Sequence, residues 1–296
     1  MATNTANGTT FYYNDIVNPK DIRKTIINID SRFRNSYADS TSNFAYDIAT
    51  TIKNVARIKL VSTEIPNTFY TFTLARKNIG FNLILEATGT NYFISIEPGN
   101  YSMTQMISVI QGKLNQINTA MGTDLRFMVN EYNALYTISD HSSPPANFTL
   151  DFGTYSINRP VYWGLGYYLG FRQKLYSGQS EYTAEFVPDL NGDPYVLIDI
   201  NDYTALRHVS RHTAMTCFAK VIIRENKYFT IFSDDSSFLT KEYTFSQPTN
   251  ISQFRIRIFD MYGETIDLND ANISMTFEVS EITNSDLYSK YLNYLS

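Results

Sequence analysis

Three histidines, His141, His208 and His212, are the first residues that could transfer protons or hold a metal. His208-Val-Ser-Arg-His212 has i, i+4 spacing, which on a helix sets both imidazoles on one face. A zincin places Glu directly after the first His as general base. Val209 stands there instead, and no third ligand lies nearby. Three readings of the segment stand: a metal site, a locally basic surface built with Arg207 and Arg211 that faces an acidic neighbour or nucleic acid, and, most plainly, a solvated loop. Asp189, Asn191 and Asp193 repeat the opening of a calcium loop. Gly192, however, follows Asn191 rather than the third ligand, and no Glu occupies the twelfth position. Gly, Asn and Asp ahead of Pro194 equally describe a β-turn.

Covalent catalysis has no support in the residue pattern. There is no G-x-S-x-G, no P-loop and no H-E-x-x-H, and Gly164-Leu-Gly166 lacks its third glycine because position 169 is Leu. Cys217 precedes the apolar run 218–223 and reads as a small buried hydrophobe rather than a thiolate. Asp234-Asp235 sits in a Ser-rich turn as a solvated pair. The N-x-S/T sequons at Asn7, Asn100, Asn147, Asn250 and Asn272 mark Asn-rich turns. No catalytic, cofactor-binding or metal residue is assigned, no cofactor is expected, and the chain reads as a non-enzyme.

The elements that would position any site are strands. Phe254, Ile256 and Ile258 alternate with Arg255 and Arg257, and Ile273, Met275, Phe277 and Val279 alternate with polar residues. That is the period of half-buried antiparallel strands. Tyr262-Gly263 suggests a hairpin between the first of these runs and Ile266 and Leu268. Further candidates are 25–29, 56–61, 81–85, 92–96, 125–129, 135–138, 148–152, 195–200, 218–223, 228–232 and 243–245. One segment breaks the pattern: Ser102 and Gln105 form a capping box ahead of Ile107, Ile110, Leu114 and Ile117, which predicts an amphipathic helix over about 103–120.

Composition agrees with a large β core. The chain has 296 residues, is 43% hydrophobic, 15% aromatic and only 18% charged, which excludes disorder. A net charge of −5 disfavours a globally basic nucleic-acid binder. The lone cysteine excludes an internal disulfide framework and points to a reducing compartment. The first residues lack the pattern of a signal peptide, and no apolar run reaches the ~20 residues that span a bilayer. The expected fold class is all-β, an antiparallel sandwich. Its expected organisation is an N-terminal arm over 1–20 anchored by Phe11-Tyr12-Tyr13, a sandwich over 21–282 with a loop-rich insertion around 140–194, and a C-terminal tail over 283–296. In that tail Leu287, Tyr288, Tyr291, Leu292 and Leu295 fall at helical spacing.

Ile29-Asp30-Ser31-Arg32-Phe33-Arg34-Asn35 is followed by 42–48 (SNFAYDI), by Ile52-Lys-Asn54-Val55 and by 62–68 (STEIPNT). Pro98-Gly99-Asn100-Tyr101-Ser102 then leads into the helix, and Leu169-Gly170-Phe171 follows. In order and spacing this resembles the single jelly-roll minor capsid or penton proteins of nucleocytoplasmic large DNA viruses (giant viruses) and their virophage-like relatives, over roughly residues 25–171. The resemblance implies a structural capsid protein of a large icosahedral DNA virus, a penton forming pentamers at the vertices or another minor capsid protein, which acts by assembly. It implies as partners further copies of the chain in a homopentamer and other capsid proteins, including the major capsid protein. Nucleic acid and a membrane span are not expected partners, and the implied location is the virion, assembled in the host cytoplasm. The alternative reading is a receptor- or carbohydrate-binding β-sandwich on the virion surface, in which exposed Tyr and Trp163 stack on sugar rings.

Overall fold

The computed structural model describes residues 3–6, 9–12, 22–156, 164–209, 214–234 and 242–283. They fall into two compact units: unit 1 is Met1–Phe69 with Asp193–Ser296, and unit 2 is Tyr70–Gly192. Unit 1 opens with β1 (Thr3–Ala6), β2 (Thr9–Tyr12), β3 (Ile22–Asp30) and β4 (Asn43–Pro66). Unit 2 supplies β5 (Gly80–Leu85), β6 (Thr90–Ser95), α1 (Met103–Met121), β7 (Leu125–Val129), β8 (Tyr136–Asp140) and β9 (Phe148–Asp151). It ends with α2 (Leu165–Tyr168), β10 (Leu175–Gln179) and β11 (Glu181–Thr183). Unit 1 resumes with β12 (Tyr195–Ile200), β13 (Leu206–Val209), β14 (Ala214–Cys217) and β15 (Ala219–Ile222). It closes with β16 (Thr230–Ser233), β17 (Glu242–Phe259) and β18 (Ser274–Ile282). Every strand pairing is antiparallel.

Two strands are much longer than their pattern predicts. β4 has 24 residues and β17 has 18, and each serves two layers. The first half of β4, from Asn43 to Ile52, pairs with Arg257 back to Ile251 of β17. Its second half pairs with β18 on one side and with Glu242–Thr244 and β16 on the other. The change of partner falls where Asn54 adopts φ 55° and where the β17 register slips between Thr244 and Gln253. One layer therefore runs β3–β18–β4–β16, with the start of β17 also on β4. The other runs from the first half of β4 through β17 and β12 to β15. This is the jelly-roll order. Phe254 of one layer stacks on Phe277 of the other at 5.1 Å, and Phe44, Ile58, Leu60, Ile198, Ile256 and Met275 fill the space around them.

Unit 2 has its own core. Its sheets are β10–β9–β5–β6 and β11–β8–β7. Helix α1 begins with the expected capping box, Ser102 Oγ accepting from Gln105 N and Gln105 Oε1 from Ser102 N, and ends at Gly122 with φ 69°. Met106, Ile110, Leu114 and Ile117 form its buried face, whereas Ile107 is only half-buried. The polar flank also does structural work: Gln111 Oε1 accepts from Phe127 N at 2.7 Å, and Asn118 both accepts from Leu125 N and donates to Leu125 O. These amides satisfy the backbone of β7, which ends its sheet. Phe81, Phe152, Phe171, Tyr176, Tyr182 and Phe148 stand in a chain of ring contacts 5.1–5.6 Å long per step. Much of the aromatic surplus is therefore core.

Several expectations change. The second body begins at residue 70, and the segment read as loops around 140–194 contains β9, α2, β10 and β11 together with much of the aromatic core. β9 matches the candidate at 148–152, whereas β10 and β11 were illegible because the aromatics buried here come from turns as well as strands, which breaks the period of two. Within the segment read as an arm, Thr3–Ala6 pairs with Thr9–Tyr12 as β1 and β2, Thr3 opposite Tyr12. Trp163, His212, Asp235 and the tail 284–296 lie outside the described residues.

Candidate assembly surface

The chemistry-bearing residues do not converge among the described residues. His208 lies in strand β13, not on a helix. Its Nε2 lies 3.0 Å from the Met261 carbonyl and its ring meets Tyr195 edge-on. His141 Nε2 is 2.9 Å from Ser139 Oγ. Asp189 Oδ1 accepts from Asn191 N, and Gly192 follows at φ 85°, the geometry of an Asx turn. Among the described residues no group of three or more His, Cys, Asp or Glu is placed to hold a metal. Cys217 is fully buried, and burial, aided by Asp199, pushes its thiol up to about 11, so it is neutral near pH 7.

Buried charge in unit 1 is organised for structure. Arg257 bridges Asp199 and Asp202. Arg23 and Thr25 of β3 bond Glu281 of β18, and the Arg23 guanidinium holds that carboxyl below the usual range against the opposing effect of burial. The Asp30-Ser-Arg-Phe-Arg34 segment works the same way. Asp30 caps the short 3-10 turn Ser31–Phe33 and binds Arg32, which lowers the Asp30 pKa. Arg34 is buried, donates to the Ser31 and Asp39 carbonyls and lies over the Tyr37 ring at 5.2 Å. The two arginines fix the loop between β3 and β4. Phe33 and Tyr37 are left more than half exposed on it, with Ile26 of β3 below them.

A second exposed apolar group lies on the segment from β15 to β16. Tyr228 has φ 72°, a left-handed conformation that a bulky residue rarely adopts. Its N donates to Asn67 O at 2.9 Å, and Asn67 N donates to Phe229 O at 2.8 Å. Asn67 Nδ2 reaches Glu225 O, and Lys227 Nζ reaches Phe69 O while lying over the Phe69 ring. The backbone is thus over-determined, and it presents Tyr228 and Phe229 outward, with Phe232 following on β16; all three are more than half exposed. The alternation in 228–232 signalled a strand, but β16 starts only at Thr230. The left-handed turn that precedes it carries no Gly, so composition gave no signal for it.

Strand order and paired layers thus define an antiparallel jelly-roll protein with a second unit placed in sequence between β4 and β12. Among solved structures the chain is similar to selenomethionine-labelled mavirus penton protein, at 10% identity and a TM-score of 0.49, over 87% of this chain and 99% of that one. No protein-family model and no curated protein matches the sequence. Among the described residues no helix is long and apolar enough to cross a membrane.

Proposed function

We propose that the chain is a structural capsid protein of a large icosahedral DNA virus, a penton that forms homopentamers at the vertices or another minor capsid protein, and that it acts by assembly rather than catalysis. The observation that carries this reading is the pairing of jelly-roll strand order with large aromatic side chains left exposed on unit 1. The motif order over 25–171 supports it: Asp30, Arg32 and Arg34 of that motif brace a loop whose Phe33 faces solvent. Large amphipathic rings at the surface supply contact area of the kind that protein interfaces use. Its partners are then further copies of itself and other capsid proteins, the major capsid protein among them, and its place is the virion. Quantitative mass spectrometry of purified virions, followed by placement of the chain in a map of the intact particle, tests this. A fixed low copy number at vertices or beneath the major shell is expected. Absence from purified particles overturns it.

A further inference from the structure

We propose that unit 1 joins copies of this chain head to tail, the β16 edge of one copy (Tyr228, Phe229, Phe232) packing against the β3 edge of the next (Ile26, Phe33, Tyr37). The inference rests on the capsid reading and specifies the contact within it. In the layer β3–β18–β4–β16 the two groups lie on opposite edges, three strand spacings or about 14 Å apart. Phe232 and the Phe33 turn also lie at one level, with Ile26 further along β3, opposite Glu278. Phe232 is opposite Glu64, Glu64 opposite Ser274, and Ser274 opposite Asp30, directly before the turn that carries Phe33. Among the described residues β3 pairs only with β18.

Two unlike apolar patches on opposite edges are what a heterologous interface requires, because each copy must offer a donor face and an acceptor face. An isologous dimer would need one self-complementary patch. The charge at the rims matches, with exposed Arg224 beside the first patch and exposed Asp270, paired to Arg34, beside the second. Tyr228 adds a separate reason. A left-handed tyrosine is a strained choice where Gly or Asn would sit freely, which suggests that the ring is retained for contact rather than for the fold.

The test uses the full chain and sedimentation velocity over a concentration series. Wild type should form larger species as concentration rises. Phe229→Ser with Phe232→Ser spoils one edge, Phe33→Ser with Ile26→Ser spoils the other, and each double variant alone should sediment as a monomer. Mixed in equal amounts, they should form a one-to-one dimer and stop there, because one intact pair of edges remains. Tyr228→Gly guards against misfolding: it should keep or raise the melting temperature while weakening self-association at least tenfold. A wild type that stays monomeric at the highest reachable concentration, or variants that do not complement, overturns the edge pairing. The capsid reading fails separately, by absence of the chain from virions, so either idea can fall without the other.

Discussion

At the residue scale, backbone conformation and ion pairing make the sharpest demands. Gly170 has φ 97°, and a Cβ there would lie 1.9 Å from the Phe186 carbonyl oxygen, whose own N–H donates to Gly170 O. Neither strand of backbone can yield without breaking that bond, so Gly170→Ala should destabilise unit 2 by about 3 kcal/mol or more. Gly89, at φ 67° with open space around its missing Cβ, gives the contrast: Gly89→Ala should cost only the ~1–2 kcal/mol of the left-handed conformation. Denaturant titration of both variants separates steric from conformational cost, and equal losses would contradict the clash. Glu281 governs a pH effect. Its folded pKa is depressed by Arg23, so its contribution is present above the unfolded value of about 4.3 and is lost as pH falls through the folded one. Glu281→Gln should therefore be less stable than wild type at pH 7, with the gap narrowing by pH 3. Because Arg23 is exposed, added salt should shrink the gap at pH 7 too. A gap that is constant with pH would remove the ion pair from the explanation.

At the scale of elements, α1 was legible almost to the residue, because its capping box and its spacing are local signals. The buried stripe nonetheless includes Met106 where Ile107 was expected, since the sheet beneath, not hydrophobicity alone, sets the rotation of the helix. Strands with one inward face, such as β7 and β18, were legible for the same reason. The first half of β4 was not: its residues from Asp47 to Asn54 are mostly exposed or half-exposed, so alternation fades although hydrogen bonding to β17 continues. The Asn118 contact was invisible too, because nothing local says that a helix amide will meet a strand edge. Asn118→Ala removes both bonds to Leu125 and should cost about 1–3 kcal/mol, against about 1 kcal/mol for Ser102→Ala at the cap. Thermal melts of the two variants decide this. A loss at Asn118 no larger than at Ser102 would mean that water replaces the amide on β7.

At the scale of the whole molecule, the exposed edges of unit 1 and the aromatic core of unit 2 belong to bodies with separate interiors. Among the described residues, none of one buried cluster appears in the other. The ends of unit 2 also come together, since Thr71 Oγ1 reaches Asn191 O and packs against Gly192. Close ends and a private core are the conditions under which an inserted unit folds by itself. Residues 70–192 expressed alone should therefore give a cooperative melt and dispersed amide resonances. In the full chain Gly170→Ala should lower one of two thermal transitions and leave the other in place. A single transition that moves as a whole would mean that the units fold as one. If unit 1 also folds with 70–192 replaced by a short flexible linker, it retains both apolar edges. It should then still complement across the two edge variants, as the full chain does. Loss of complementation in a folded, shortened unit 1 would place the adhesive surface in unit 2, where Tyr132 and Phe186, the two most exposed of its described aromatics, are the residues to substitute next.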